Sequence, residues 1–369
     1  MPQKRAIVFS LAWAPFESGG EIAPRKIIEM NADIHFDVVT HKFDASWPSF
    51  ETKNNLSIYR VGWPTKYGYI AGGFVKAVQL SLKHKYDFSW SIMAGYSGCI
   101  ALWYKIFFSK TPLLLTLQEG DSKEHILNRV RFLRPFFRLL FKKADAVQAI
   151  SNFLANWGKE MGFTGTPVVI PNGVDVPATL GAPSPAPRTW GSERQVILIS
   201  NSRLEKKNGL DIVIRALKLL PEKFVFKNAH QGSERENLLT LAKEIGVADR
   251  VTLDPVMPHE AAVEYLKQGD IFVRPSRSEG LGASFLEAMA LGLPIIGTPV
   301  GGIPDFLKDG ETGVFCEPEN SESFARAVMR LTENPILYDA VRKNAYALMK
   351  EKFSWSSVGE RMSKLFKTL

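Results

Sequence analysis

Arg274-Pro275-Ser276-Arg277-Ser278-Glu279-Gly280-Leu281-Gly282-Ala283-Ser284-Phe285-Leu286-Glu287-Ala288-Met289 is the stretch whose reading decides the fold. An apolar run over 271–275 stops at Pro275, a glycine-rich turn follows, and a helical pattern starts near Ala283. Strand, tight turn, helix is the order met at the carboxyl end of a strand in an open α/β sheet, where ligands bind. Gly280 and Gly282 let a ligand approach the backbone closely, and the free N–H groups at the helix start favour a phosphate. Glu287 lies about one turn inside the helix. From there a carboxylate can accept from two vicinal hydroxyls of a ribose beside a diphosphate. Glu279 stands in the turn, which folds it back toward the same ligand.

The same alternation extends both ways along the chain. Apolar runs at 6–10, 36–40, 88–92, 113–117 and 146–150 read as buried parallel strands, with helices at 24–30, 74–84 and 128–142. A second series of strands is expected at 196–200, 224–228, 251–253, 271–275, 294–298 and 313–315. Its helices are expected at 211–220, 233–245, 259–267, 283–291 and 321–332. Such alternation defines an α/β fold with doubly wound parallel sheets. The 369 residues exceed the usual size of a single core. The expected division is an N-terminal domain 1–176, a Pro-rich linker 177–194 and a C-terminal domain 195–352, with a closing helical segment 353–369.

A second strand-end loop carries complementary chemistry. Asn201-Ser202-Arg203-Leu204-Glu205-Lys206-Lys207-Asn208-Gly209 holds three cations in five residues before a helix. Arg and Lys stabilise the charge that grows on a leaving nucleoside diphosphate, without a metal. No Asp-x-Asp occurs, the six histidines lack zinc-like spacing, and there is no P-loop, Gly-x-Ser-x-Gly or complete dinucleotide fingerprint. Neither a metal ion nor another cofactor is therefore expected. The net charge of +8 suits an anionic partner. Cys99 and Cys316, far apart, indicate no disulfide framework and fit a reducing compartment. The apolar run after the basic start is too short for a signal peptide, and no run is long enough for a membrane span. A cytoplasmic location is expected.

These residues resemble glycosyltransferase family 4, the retaining glycosyl transferases with GT-B architecture. Glu279 and Glu287 form a Glu-x7-Glu motif like the family's. Ser18-Gly19-Gly20-Glu21, Ile170-Pro171-Asn172-Gly173-Val174-Asp175, Val300-Gly301-Gly302-Ile303-Pro304 and Asp309-Gly310-Glu311-Thr312-Gly313 match other family segments, in order, along nearly the whole chain. The resemblance implies two Rossmann-like domains facing a cleft, a nucleotide-diphosphate sugar as donor, and a terminal helix crossing back to the first domain. It implies that Glu287 holds the donor ribose and Glu279 the donor sugar's hydroxyls. Gly280 and the amides of Leu281, Gly282, Ala283 and Ser284 would bind phosphate and sugar, Met257 the base, and Gly20 would face the cleft. Arg203 and a lysine would hold the diphosphate. The family's lysine directly precedes the glycine, where this chain has Asn208, so Lys207 takes that part.

The family's N-terminal histidine is also replaced, by Gln118. An amide bonds a sugar hydroxyl but does not titrate near neutral pH. Gln118, Glu119 and Asp121 are the acceptor-side candidates. Residues 129–143 carry six cations and no acid among aromatics, a pattern that can rest on an anionic membrane. The expected partners are then a nucleotide-diphosphate sugar, a glycan or lipid-linked acceptor, and the inner face of the cell membrane; no nucleic-acid module is seen. Two other readings stay open: a sugar-nucleotide-binding protein without transferase activity, and a transferase to a small soluble acceptor.

Overall fold

The computed structural model describes residues 3–15, 19–62, 65–121, 123–129, 134–178 and 194–369. The chain divides into two units, Met1–Gly173 with Trp355–Leu369, and Val174–Ser354. Most of the expected linker lies outside the described residues.

The first unit begins β1(Lys4–Phe9), α1(Gly19–Met30), β2(Ile34–His41), β3(Phe50–Lys53), β4(Leu56–Val61) and α2(Lys66–Ser81). It continues β5(Phe88–Ile92), α3(Tyr96–Phe107), β6(Leu113–Leu117), α4(Lys123–Arg129), α5(Arg134–Lys143), β7(Ala146–Ala149), α6(Asn152–Glu160) and β8(Val168–Val169). The sheet order is β3-β4-β2-β1-β5-β6-β7-β8. β5 and β6 are buried at every position. Helices cover both faces of such strands, so they read as unbroken apolar runs.

Three local expectations change here. The edge of the sheet is a β3–β4 hairpin, antiparallel rather than parallel. Its turn places Asn54 at φ 54°, a backbone region that Asn tolerates better than most side chains. The single helix expected over 128–142 is instead α4 and α5, with 130–133 outside the described residues. α3 was not legible as a helix because it is apolar nearly all round and shows no period.

The second unit runs β9(Val196–Ser200), α7(Leu210–Leu217), β10(Phe224–Ala229), α8(Arg235–Glu244), β11(Val251–Asp254) and α9(His259–Leu266). It goes on through β12(Ile271–Arg274), α10(Ala283–Ala290), β13(Ile295–Gly297), β14(Val314–Phe315), α11(Ser321–Thr332) and α12(Pro335–Leu348), the last unforeseen. Its sheet is wholly parallel, in the order β11-β10-β9-β12-β13-β14. The final helix, α13(Trp355–Lys367), belongs to the first unit. There Phe366 stacks on Phe88 at 5.2 Å between centroids, and Val358 and Met362 are fully buried.

Candidate functional site

In the second sheet the chain steps outward from β9 to β11 and then restarts beside β9 with β12. The reversal falls between β9 and β12, and such a switch point opens a crevice at the carboxyl ends of the strands. The two loops singled out in the sequence, 201–209 after β9 and 275–282 after β12, both start there.

The loops are tied together. Arg277 N–H donates to the Lys207 carbonyl at 2.7 Å. The Arg277 guanidinium grips Asp211 at 2.8 and 2.9 Å, pairs with Glu319, and donates to the Lys206 carbonyl at 2.5 Å. These carboxylates hold its pKa well above the ordinary arginine value. Gly209 sits at φ 69°, and a Cβ there would lie 2.0 Å from the Pro275 carbonyl oxygen. Only glycine allows the loops to meet at this point.

Glu279 is buried. One oxygen pairs with Arg274, and the other accepts the Gly280 N–H at 3.0 Å. Its carbonyl accepts the Gly302 N–H at 3.1 Å, and a Cβ on Gly301 would meet that carbonyl oxygen at 1.8 Å. Arg274 also donates to Asn208 Oδ1 at 2.7 Å and Ser284 Oγ at 3.1 Å, over the Phe285 ring. Asn208 in turn donates to the Arg203 carbonyl at 2.6 Å. Burial pushes the Arg274 pKa down, the Glu279 charge pushes it up, and Arg203 pushes it down again. Arg203 is itself exposed, yet its charge reaches both Arg274 and His230.

Glu287 accepts from Asn201 Nδ2 at 3.4 Å and has His259 Nδ1 at 3.8 Å. Burial pushes its carboxyl above the ordinary range; His259 and Asn201 oppose this. Met257 lies in the loop that leads to His259. Gly282, at φ 93°, caps α10 and leaves the first N–H groups of Ala283 and Ser284 without helical partners. Arg274 Nε and Asn201 Oδ1 are buried with no hydrogen-bond partner among the described residues. Leu281 is buried under the same turn.

In the first sheet the reversal lies between β1 and β5. Gln118, Glu119 and Asp121 follow β6, the next strand over. Gln118 is buried. Glu119 Oε1 accepts the Ala94 N–H at 2.8 Å, next to Met93 at φ 67°, while its Oε2 is buried with no hydrogen-bond partner among the described residues. Gly20 lies in the first turn of α1. Burial pushes the Glu119 carboxyl up. The folded chain thus holds this proton more tightly than the unfolded one. The stability it contributes is full below the ordinary carboxylate pKa and is lost as pH rises through the raised one. Wild-type melting temperature is expected to fall over that window, and Glu119→Gln to remove the slope, by calorimetry across pH.

The structure therefore brings Glu279, Arg203 and Lys207 to two joined loops and Glu287 to the helix that follows them, with Gln118, Glu119 and Asp121 together in the other unit. Sequence reasoning missed Arg274 as a site residue, and with it Asn201, His230 and His259. Arg274 had a signal: it is a cation at the end of an otherwise apolar strand.

A two-unit α/β protein with cations and carboxylates converging at a sheet switch point is of the class that binds nucleotides there. Residues 29–177 match Glycosyltransferase Family 4 and residues 187–348 match Glycosyl transferases group 1. The chain belongs to this family of GT-B proteins. It is 30% identical to an alpha-D-kanosaminyltransferase of Streptomyces kanamyceticus over 49% of this chain and 47% of that protein. It is 27% identical to a GDP-mannose-dependent alpha-(1-6)-phosphatidylinositol monomannoside mannosyltransferase of Mycolicibacterium smegmatis over 63% and 64%. The chain thus spans about half to two thirds of the length of the curated relatives it matches. Sucrose-phosphate synthase of Thermosynechococcus elongatus has the same fold, with TM-score 0.83, 21% identity, and coverage of 99% and 98%. Anabaena HepE, solved with UDP-glucose, follows at TM-score 0.78, 18% identity, and coverage of 99% and 100%.

Proposed function

We propose that this chain is a retaining, metal-independent glycosyltransferase that moves a sugar from a GDP- or UDP-linked donor to a glycan or lipid-linked acceptor. One observation carries the reading: at a single switch point, the loop bearing Arg203 and Lys207 is bound to the loop bearing Glu279, from which α10 leads on to Glu287. Cations meet the diphosphate and carboxylates meet the hydroxyls. Glu287 accepts from the ribose. The lone pairs of Glu279 not used by Arg274 and Gly280 accept from the donor sugar. As the bond from the anomeric carbon to the phosphate oxygen breaks, Arg203 and Lys207 take up the growing charge. The acceptor oxygen bonds the anomeric carbon on the same face, and its proton passes to the leaving phosphate. Gln118, Glu119 and Asp121 stand on the acceptor side in this reading, and a membrane-borne acceptor agrees with the exposed cations Arg134, Arg138, Lys142 and Lys143. α5 buries Phe137, Leu140 and Phe141 within its own unit and leaves Arg134, Phe136 and Arg138 exposed.

Thermal-shift screening against nucleotide sugars, followed by transfer assays with the donor that binds, tests the proposal. Tight donor binding with no transfer or hydrolysis would leave a binding protein instead. Glu287→Gln is expected to weaken donor binding about 10- to 100-fold, the worth of hydrogen bonds to a charged group. Ribose recognition uses the ionised carboxylate, whose pKa is raised. Wild-type affinity should therefore decline with falling pH earlier than for an ordinary carboxylate, and the variant should lose that dependence in calorimetric titration.

A further inference from the structure

α3 buries Gly98, Ile100, Ala101, Leu102 and Tyr104 against its own unit. Its outward positions ought then to be polar. They are Trp103, Ile106 and Phe107, exposed by 40%, 51% and 72%, one stripe at helical spacing. α2 lies alongside and extends the stripe. Phe74 sits between the two helices, its ring 5.7 Å from Trp103 and 5.3 Å from Phe107, and Val75 and Leu82 are exposed beside it. The result is an uncovered aromatic ridge across two helices.

The charges around it have one sign. α2, α3 and α5 contain no Asp or Glu. Residues 62–118 hold six lysines and a single acid, Asp87, which accepts the Arg5 N–H at 2.8 Å. Asp145 is paired with Lys105 of α3 at 2.8 Å. Lys83, Lys85 and Lys110 are exposed at the end of this side, where they line one surface depression with Leu82. A second copy would set like charges against each other. An anionic bilayer complements them, and Trp and Phe favour its interface.

We propose that the Trp103–Ile106–Phe107 ridge is the membrane-docking face of this protein, its side chains entering the headgroup boundary while the surrounding cations meet anionic lipid. It rests on the transferase reading only for why a membrane matters; the docking itself needs no donor.

The test is flotation of the full chain with phosphatidylcholine vesicles, with and without phosphatidylglycerol, at low and high salt and with no nucleotide sugar. Wild type is expected to float with the anionic vesicles, less so in high salt. Phe107→Glu is expected to lower partition at least about tenfold, since burying a Phe contributes about 1.5–3 kcal/mol. Lys83→Glu with Lys110→Glu should weaken binding and flatten its salt dependence. These positions are exposed, so unchanged circular dichroism will verify the fold. Wild type that stays unbound, or Phe107→Glu that floats as well as wild type, overturns the proposal. So does a dimer in light scattering that Phe107→Glu dissolves. A protein that transfers sugar yet does not float overturns the docking face alone.

Discussion

Arg274→Met is expected to destabilise the C-terminal unit by about 3–5 kcal/mol, the usual cost of removing one partner from a buried ion pair. The loss has a specific origin. Among the described residues Arg274 is the cation that pairs with Glu279, and both are nine-tenths buried. Without the guanidinium, the Glu279 carboxylate keeps one backbone N–H and no countercharge. Asn208 loses its donor at Oδ1 as well, and through Asn208 the Arg203 loop loses its anchor. Pairing Arg274→Met with Glu279→Gln removes the stranded charge, so the double variant should regain much of the stability in urea unfolding. It should not regain transfer, because the carboxylate proposed to face the donor sugar is gone. Equal unfolding midpoints for wild type and Arg274→Met would show that the pair is dispensable to the fold.

Arg203→Ala is expected to lower kcat by about 10²–10³-fold with a smaller change in donor KM. The guanidinium is exposed and acts on Arg274 and His230 through its charge, so the fold should survive. Its part is with charge that develops as the leaving group departs, which places the effect in kcat. Arg203→Lys keeps the charge but not the two-pronged geometry and should fall between. A variant with unchanged kcat would remove Arg203 from the chemistry.

Much of this arrangement could be read from the chain because parallel strands are buried on both faces. Runs such as 88–92, 113–117 and 196–200 emerge at their observed limits. The loops at the strand ends were visible through glycines and charges. What escaped was chemistry created by long-range pairing. Nothing near Arg274 in sequence says that Asn208, 66 residues away, will accept from it. His259, at the start of α9, comes within 3.8 Å of Glu287 although the two lie far apart in sequence. The substitution of Asn208 for a lysine looked like a loss from sequence alone; in the structure the same residue links Arg274 to the Arg203 loop. α3 failed for the opposite reason. Its outward residues are apolar, so the pattern that announces a surface helix is missing.

The β3–β4 hairpin has a meaning for the life of the chain outside its site. β4 reads Leu-Ser-Ile-Tyr-Arg-Val, a segment that as a bare sheet edge would present its backbone to any passing strand. β3 occupies that edge with four residues, two of them charged, and Glu51 locks onto Arg60 at 2.8 Å. At the far side β8 is only two residues long. Both margins are thereby poor templates for edge-to-edge association, and the turn at Asn54 protects the chain against aggregation.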